Sequence, residues 1–325
     1  MKGVSAMEFD EKTEKLLNIF MKQYVVRAND IRRSQKRFVH YTSAAAALSI
    51  LKNKEIWMRN TTCMNDFSEV RYGIKLFSLF CQSDRYKILK NAFGKQAKAF
   101  ESAMSLAIQG FEVWAHKTYI CCFSEHEDEE DENGRLSMWR GYGNGGGVAI
   151  VLQSDSFISD NEFFNIYTSP VEYLSEKEFD TKMDELITRV TKGKEFLESI
   201  SDREIVEWVT NMIKYAVVSI KHPGFKEEKE WRVVADFNTC SNELGTESIV
   251  LNEIPQLVLK LPLTDEMENN EKGFSINSNL DHLLIGPTPY PAVIGDALRF
   301  ELEKCGVNDA KKRISISQIP YRSRL

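Results

Sequence analysis

One run near the middle of the chain constrains its fold more than any other. Ile205, Trp208, Val209, Met212, Ile213, Ala216, Val217 and Ile220 recur at helical spacing and make a continuous apolar stripe. Such a stripe is buried only when its helix lies against a sizeable core. The surrounding block, residues 176–221, therefore reads as a helical insert. Short strand-like runs stand on both sides of it. Phe38–Thr42, Glu55–Arg59, Tyr119–Phe123, Val148–Leu152 and Val171–Tyr173 come before, and Glu230–Ala235, Leu257–Leu261, His282–Ile285 and Arg313–Ile319 come after. They do not alternate with helices as the strands of a doubly wound sheet would. The expectation is an α+β fold with a mixed or split central sheet and helical insertions. Its organisation is a helical extension over residues 1–37 followed by one domain over 38–325.

Further helices are expected over 8–31, where Leu16, Leu17, Phe20 and Tyr24 share a face, and over 43–53 with Ser43 as the N-cap. Asp66 and Glu69 have capping-box spacing at the head of a helix reaching residue 81, and an unbroken helix is expected over 84–116. A short helix over 136–142 and another over 291–304 complete the set.

The 325 residues are 42% hydrophobic and 28% charged, which buries an ordinary core without staples. A net charge of −6 argues against a surface that coats nucleic acid. The six cysteines form no CxxC pair, so no zinc cluster or disulfide framework is readable. Free thiols, the absence of an apolar signal-like start and the absence of a membrane-length apolar run together lead us to expect a cytoplasmic protein with no membrane partner.

The chemistry-bearing residues gather in five short motifs. In Val39-His40-Tyr41-Thr42, strand alternation puts His40 and Thr42 on one face and Tyr41 on the other. His40 suits a ribose contact or acid–base work, against the plainer reading of a satisfied core histidine. In Asn65-Asp66-Phe67-Ser68-Glu69 the capping box explains Asp66 and Glu69, and Asn65 is left as the ligand candidate. Ser124, in Cys122-Phe123-Ser124-Glu125, is expected at an exposed strand end, and no GxSxG elbow surrounds it. The acidic run Glu127–Glu132 behind it reads as a solvated loop without EF-hand spacing, and no metal is expected.

Met138-Trp139-Arg140-Gly141-Tyr142-Gly143 precedes three further glycines at 145–147. These glycines stand before a strand, whereas a phosphate loop follows one, so they read as a tight approach to the sheet. Trp139 and Tyr142 can supply a stacking wall and Arg140 a phosphate contact. In Lys226-Glu227-Glu228-Lys229-Glu230-Trp231-Arg232, Glu228 and Glu230 alternate onto one face of a beginning strand. A carboxylate pair there suits acid–base chemistry on a sugar, and equally a charged edge that discourages aggregation.

The ordered set HYT at 40–42, Trp57, NDFSE at 65–69, CFSE at 122–125, MWRGYG at 138–143, EKEWR at 228–232 and IPYR at 319–322 resembles the bacterial family called domain of unknown function 2971. More distantly, a strand with a histidine, a middle strand ending in serine and a late Glu-x-Glu strand resemble the layout of ADP-ribosyltransferases. That second resemblance implies NAD as co-substrate, with His40, Tyr41, Thr42 and Asn65 among the nucleotide contacts. It implies Ser124 in support, Trp139, Arg140 and Tyr142 on the pocket wall, and Glu230 or Glu228 as the catalytic carboxylate. Tyr72 or Tyr142 would stack on nicotinamide. The acceptor implied is a macromolecule (protein, RNA or DNA), in the manner of a toxin or phage-defence effector held by an antitoxin. A non-catalytic nucleotide sensor using the same pocket is the alternative.

Overall fold

The computed structural model describes residues 10–64, 69–143, 145–154, 166–240, 244–251, 253–264 and 275–320. Asn65 and Asp66, and with them the capping box, lie outside this set, as do Tyr321 and Arg322.

The chain opens with α1 (Glu11–Phe20) and α2 (Lys22–Ser34), not the single helix expected. Asp10 caps α1 by accepting from the Thr13 amide, and Met21 leaves the helical region at φ −126°. The break lets α1 bury Leu16, Ile19 and Phe20 in a helical core while α2 buries Ala28 and Ile31 against the sheet. β1 (Arg37–Ser43), α3 (Ala44–Asn53) and β2 (Glu55–Asn60) follow, with Ser43 capping α3 through the Ala46 amide.

Next come α4 (Glu69–Cys81), α5 (Asp84–Ala92) and α6 (Ala97–Lys117). The expected helix over 84–116 is divided because Gly94 takes φ +56° in the left-handed region. β3 (Thr118–His126) runs three residues past its expected end. α7 (Leu136–Tyr142), β4 (Gly147–Leu152), β5 (Ile166–Pro170) and β6 (Glu172–Tyr173) lead to the helical block. That block is α8 (Glu176–Lys192), α9 (Lys194–Glu198) and α10 (Asp202–Ser219), with Ser175 and Ser201 each completing a capping box. Then come β7 (Ile220–Lys221), β8 (Glu230–Asp236), β9 (Gly245–Leu251), β10 (Ile254–Pro262), α11 (Ile276–Asn279), β11 (Leu280–Ile285), α12 (Pro291–Lys304) and β12 (Ile314–Ile316).

Ten strands form one mixed sheet, and β6 and β7 form a separate parallel pair. The sheet forks at β3. One edge of β3 pairs with β8 from Thr118 to Ser124. The other edge is shared, with β1 at Ser124–His126 and β2 at Tyr119 and Ile120. One arm continues from β1 through β4 and β11 to β12, and the other from β2 through β10 to β9. The α+β expectation with a split sheet is thus what the chain adopts.

Alternation divides the sheet into two faces. Phe38, Cys121, Phe123, Ile150, Trp231, Val233 and Leu283 bury one face under α3 and α12. Val39, Tyr41, Ala149, Val151 and Leu284 line the other, where α7 brings Met138 and Trp139. The helical block keeps a second core of its own around Phe93, Phe100, Ile205, Val209 and Ile213.

Trp139 explains the glycines around it. A Cβ on Gly286 would lie 2.7 Å from the Trp139 ring, and one on Gly147 would lie 2.9 Å from it. The two glycines are hydrogen-bonded to each other across β4 and β11 at 2.9 Å, so the indole rests on bare backbone. We predict that Gly286→Ala lowers unfolding free energy by about 1–3 kcal/mol in urea titrations through overpacking. Gly295→Ala is the contrast: its Cβ would meet the nearest atom at 3.5 Å inside α12, so it should be neutral or stabilising by up to about 1 kcal/mol.

Candidate functional site

The second face of the sheet carries a buried charge cluster. Ser124 and Glu230 face each other directly across β3 and β8, and Cys122 faces Arg232 one step along. Glu230 and Arg232 point the same way because they are two apart in a strand. The Arg232 guanidinium donates to Glu230 through Nε at 2.8 Å and Nη2 at 3.3 Å. Lys221, in β7, reaches in with Nζ 3.2 Å from Glu230 and 2.6 Å from Glu228. Its Nζ also lies 4.5 Å from the centre of the Phe225 ring. Lys221 and Arg232 are almost wholly buried. Two cations against two carboxylates are what allow these charges to leave water.

Burial alone would raise the Glu230 carboxyl, but Arg232 and Lys221 outweigh it and hold the group down at about 2. Glu230 is therefore ionised at neutral pH. It can accept hydrogen bonds from a hydroxyl or stabilise a developing positive charge, but it holds no proton to donate. An ionised carboxylate is the base form, so in an acid–base pair Glu230 would be the base. One correction concerns the arrangement of Glu228 and Glu230. Glu228 is not in the strand, because Pro223–Glu228 is a 3-10 turn and Lys229 takes φ 46° before β8 begins at Glu230. The two carboxylates meet on Lys221 through this turn, not through strand alternation.

Two phenols close over the cluster. Tyr173 accepts the Glu230 backbone N–H at 2.8 Å. Burial, together with Glu228 and Cys122, pushes the Tyr142 phenol above its usual range. Among the described residues neither the Tyr142 hydroxyl nor the Ser124 hydroxyl has a hydrogen-bond partner. Arg59, facing this side of β2 opposite Ile120, is half-buried, donates to the Cys63 carbonyl and to Gln256, and pairs with no carboxylate among the described residues. Desolvation lowers its pKa, a cost that an anionic ligand would relieve.

The expected residues divide as follows. Ser124, Tyr142, Glu228 and Glu230 come together in this cluster, and Ser124 is buried inside β3 instead of exposed at its end. Tyr41 and Trp139 share the face but belong to its core. Their rings pack edge to face at 4.8 Å, the Tyr41 hydroxyl accepts from the Arg135 amide, and the Trp139 N–H donates to the Asn133 carbonyl. Neither offers a stacking wall. Arg140 is exposed at the end of α7. Tyr72 spends its hydroxyl on the Leu174 carbonyl at 2.7 Å, which leaves Tyr142 as the aromatic beside the carboxylates.

His40 and Thr42 lie on the opposite face, as their alternation with Tyr41 requires. The His40 ring borders a small apolar cavity with Phe123, Ile150, Leu152 and Leu261, and burial lowers its pKa. Its Nδ1–H donates to the Cys122 carbonyl at 2.8 Å, on the stretch of β3 that neither β1 nor β2 covers. The histidine thus ties β1 to β3 inside the fork and does not share a surface with Glu230. Two larger cavities of about 470 and 650 Å³ lie between the sheet and the helices, and no expected site residue lines either.

Sequence reasoning missed Lys221, Arg232, Arg59 and Tyr173. Arg232 was open to the same two-residue rule applied to Glu230. Lys221 carried a weaker signal, a lone cation ending the apolar stripe of α10.

The charge balance makes a stability prediction. Removing the shared cation in Lys221→Met leaves buried carboxylates uncompensated and should cost about 3–5 kcal/mol in chemical denaturation. Because Glu230 titrates lower when folded, its stabilisation is present above the ordinary glutamate value of 4.5 and is lost as pH falls toward about 2. The stability gap between wild type and Glu230→Gln should therefore narrow through that acid range.

Two comparisons with known proteins found no counterpart and a third found a family. The family model described as "Protein of unknown function (DUF2971)" matches residues 138–233. This stretch runs from α7 into β8, so it holds Tyr142, Lys221, Glu228, Glu230 and Arg232, while His40, Arg59 and Ser124 lie outside it. No curated protein and no solved structure matches the chain. The α7-to-β8 segment of this chain is thus similar to the family of unknown function whose motifs it carries.

Proposed function

We propose that this protein is an ADP-ribosyltransferase-like enzyme that uses NAD and transfers ADP-ribose to a macromolecule in the cytoplasm. The observation that carries the reading is the ionised Glu230 facing Ser124 across β3 and β8, beneath the Tyr142 phenol. Loss of nicotinamide from NAD leaves positive charge on the ribose. A carboxylate already ionised and already fixed in place stabilises that charge without reorganisation. Ser124 and Tyr142 offer hydroxyls for the ribose and nicotinamide, and Arg59 offers its guanidinium to the pyrophosphate. His40 serves by holding the fork. The acceptor would be protein, RNA or DNA, and an effector of this kind, whether toxin or phage-defence protein, would call for an antitoxin partner. No described helix is long and apolar enough to cross a membrane.

One feature favours a second reading, a nucleotide sensor without turnover. Lys221 and Arg232 already occupy the Glu230 oxygens.

Purified protein incubated with labelled NAD and cell lysate should transfer label to a macromolecular fraction. Glu230→Gln, checked for folding by circular dichroism, should reduce transfer by about a hundredfold or more. Saturable NAD binding with no transfer in the wild type would select the sensor. Transfer unaffected by Glu230→Gln would rule out this carboxylate as the catalytic group.

A further inference from the structure

The acidic turn after β3 lies at the surface, as its composition suggests, but it is ordered by ion pairs and a cap. Glu127 and Glu130 complete a capping box around the 3-10 turn Asp128–Glu130, and Glu130 pairs with Arg135 through Nε at 2.7 Å. This turn presents Asp131 to two histidines from different strands, His126 at the end of β3 and His282 in β11. His126 Nε2 lies 2.8 Å from Asp131 Oδ1, and His282 Nε2 lies 3.9 Å from the same oxygen. One ligand atom from each of the three residues falls within 4.8 Å of the others.

The hydrogen bonding here is incomplete. His282 Nδ1–H donates to Asp281 at 2.8 Å, and in the neutral ring that leaves a lone pair on Nε2. That lone pair faces a carboxylate oxygen, two acceptors with no proton between them, and Nε2 is buried without a hydrogen-bond partner. His126 Nδ1 is likewise buried without one, in a side chain with no exposed surface. A buried polar atom left unpaired costs about 1–3 kcal/mol.

A cation at the centre gives His282 Nε2 a partner. His282 and His126 would each turn Nε2 to it, and each has a carboxylate behind its other nitrogen: Asp281 at 2.8 Å from His282 Nδ1, and Glu130 at 3.8 Å from His126 Nδ1. A carboxylate behind each histidine is the outer arrangement typical of metal-ligating imidazoles. The charge fits as well. Asp128, Glu130, Asp131 and Asp281 outnumber their partners Arg37 and Arg135 by two, the charge of a divalent ion. Zinc bonds of about 2.0–2.2 Å would require the ligand atoms to close by roughly 1 Å. Asp131 stands on the turn, partly exposed, with its Oδ1 held by His126 at 2.8 Å and Arg37 at 2.9 Å, contacts the ion would replace in part.

We propose that His126, Asp131 and His282 form a binding site for a divalent transition-metal ion of the zinc type, with water completing the coordination. The ion would fasten the acidic turn to the end of the sheet. Arg135 would carry that order onward, since its Nη1 donates to the carbonyls of Glu227 at 2.9 Å and Glu228 at 3.0 Å.

The test uses the full chain, stripped with chelator and dialysed, then titrated with Zn²⁺ in a calorimeter. We expect saturable binding of one ion per chain and a raised Tm. His282→Ala should weaken binding by more than about a hundredfold and abolish the Tm shift, and Asp281→Asn should weaken it by about 10–100-fold. Co²⁺ should give visible d–d bands without the sulfur-to-metal charge transfer that the six cysteines would produce. No saturable binding, binding unchanged in His282→Ala, or a thiolate band would each overturn the site.

Discussion

The carbonyl of Cys122 is the point on which the fold turns. A backbone acceptor inside a sheet needs a partner, and where β1 and β2 both part from β3 no strand supplies one. His40 does so with its Nδ1–H, at the one position where β1 can still reach across the gap. That bond ties β1 to β3 beyond the end of their ladder. With it, β3 can serve two arms on one edge and keep the other edge whole for β8. The charge cluster stands on that second edge, where β8 sets Glu230 opposite Ser124 and Arg232 opposite Cys122.

That cluster differs in kind from the ion pairs elsewhere on the molecule. Lys15 with Glu11 and Lys87 with Asp84 are exposed helix pairs, screened by water and of little consequence for stability. Lys221, Arg232 and Glu230 lie out of water, where each charge is tolerable only because the others are present. Their value is positional. They fix one carboxylate in one ionisation state on one face of the sheet, and they leave the Tyr142 and Ser124 hydroxyls beside it.

Much of the fold was legible because it rests on short-range rules. The stripe from Ile205 to Ile220, the cap at Ser43 and the helix at 291–304 follow from period and capping. Two-residue alternation separated His40 from Tyr41 correctly. It could not say which face held the chemistry, since that depends on β3 meeting β8 more than a hundred residues later. The Glu228/Glu230 pair was legible as residues but not as geometry, because a left-handed Lys229 is not a pattern that Lys announces. The glycines read as a close approach to the sheet, and they are one, but the aromatic they admit is Trp139 itself, which had looked like a pocket wall. The acidic run was legible as a surface turn, but the arginines and histidines that meet it were not, because they come from distant parts of the chain.

The fork also sets an order of assembly. The arm through β1 and β4 needs nothing beyond residue 152, and the His40–Cys122 bond forms within that stretch. The other arm cannot close so early, because β2 pairs with β10, Trp57 opposite Lys260. As the chain leaves the ribosome, β2 must wait about two hundred residues with one edge open. Pairings of such long separation are slow, and a waiting edge is open to misassociation. β4 waits in the same way for β11, so both arms of the fork are completed only by the last strands of the chain.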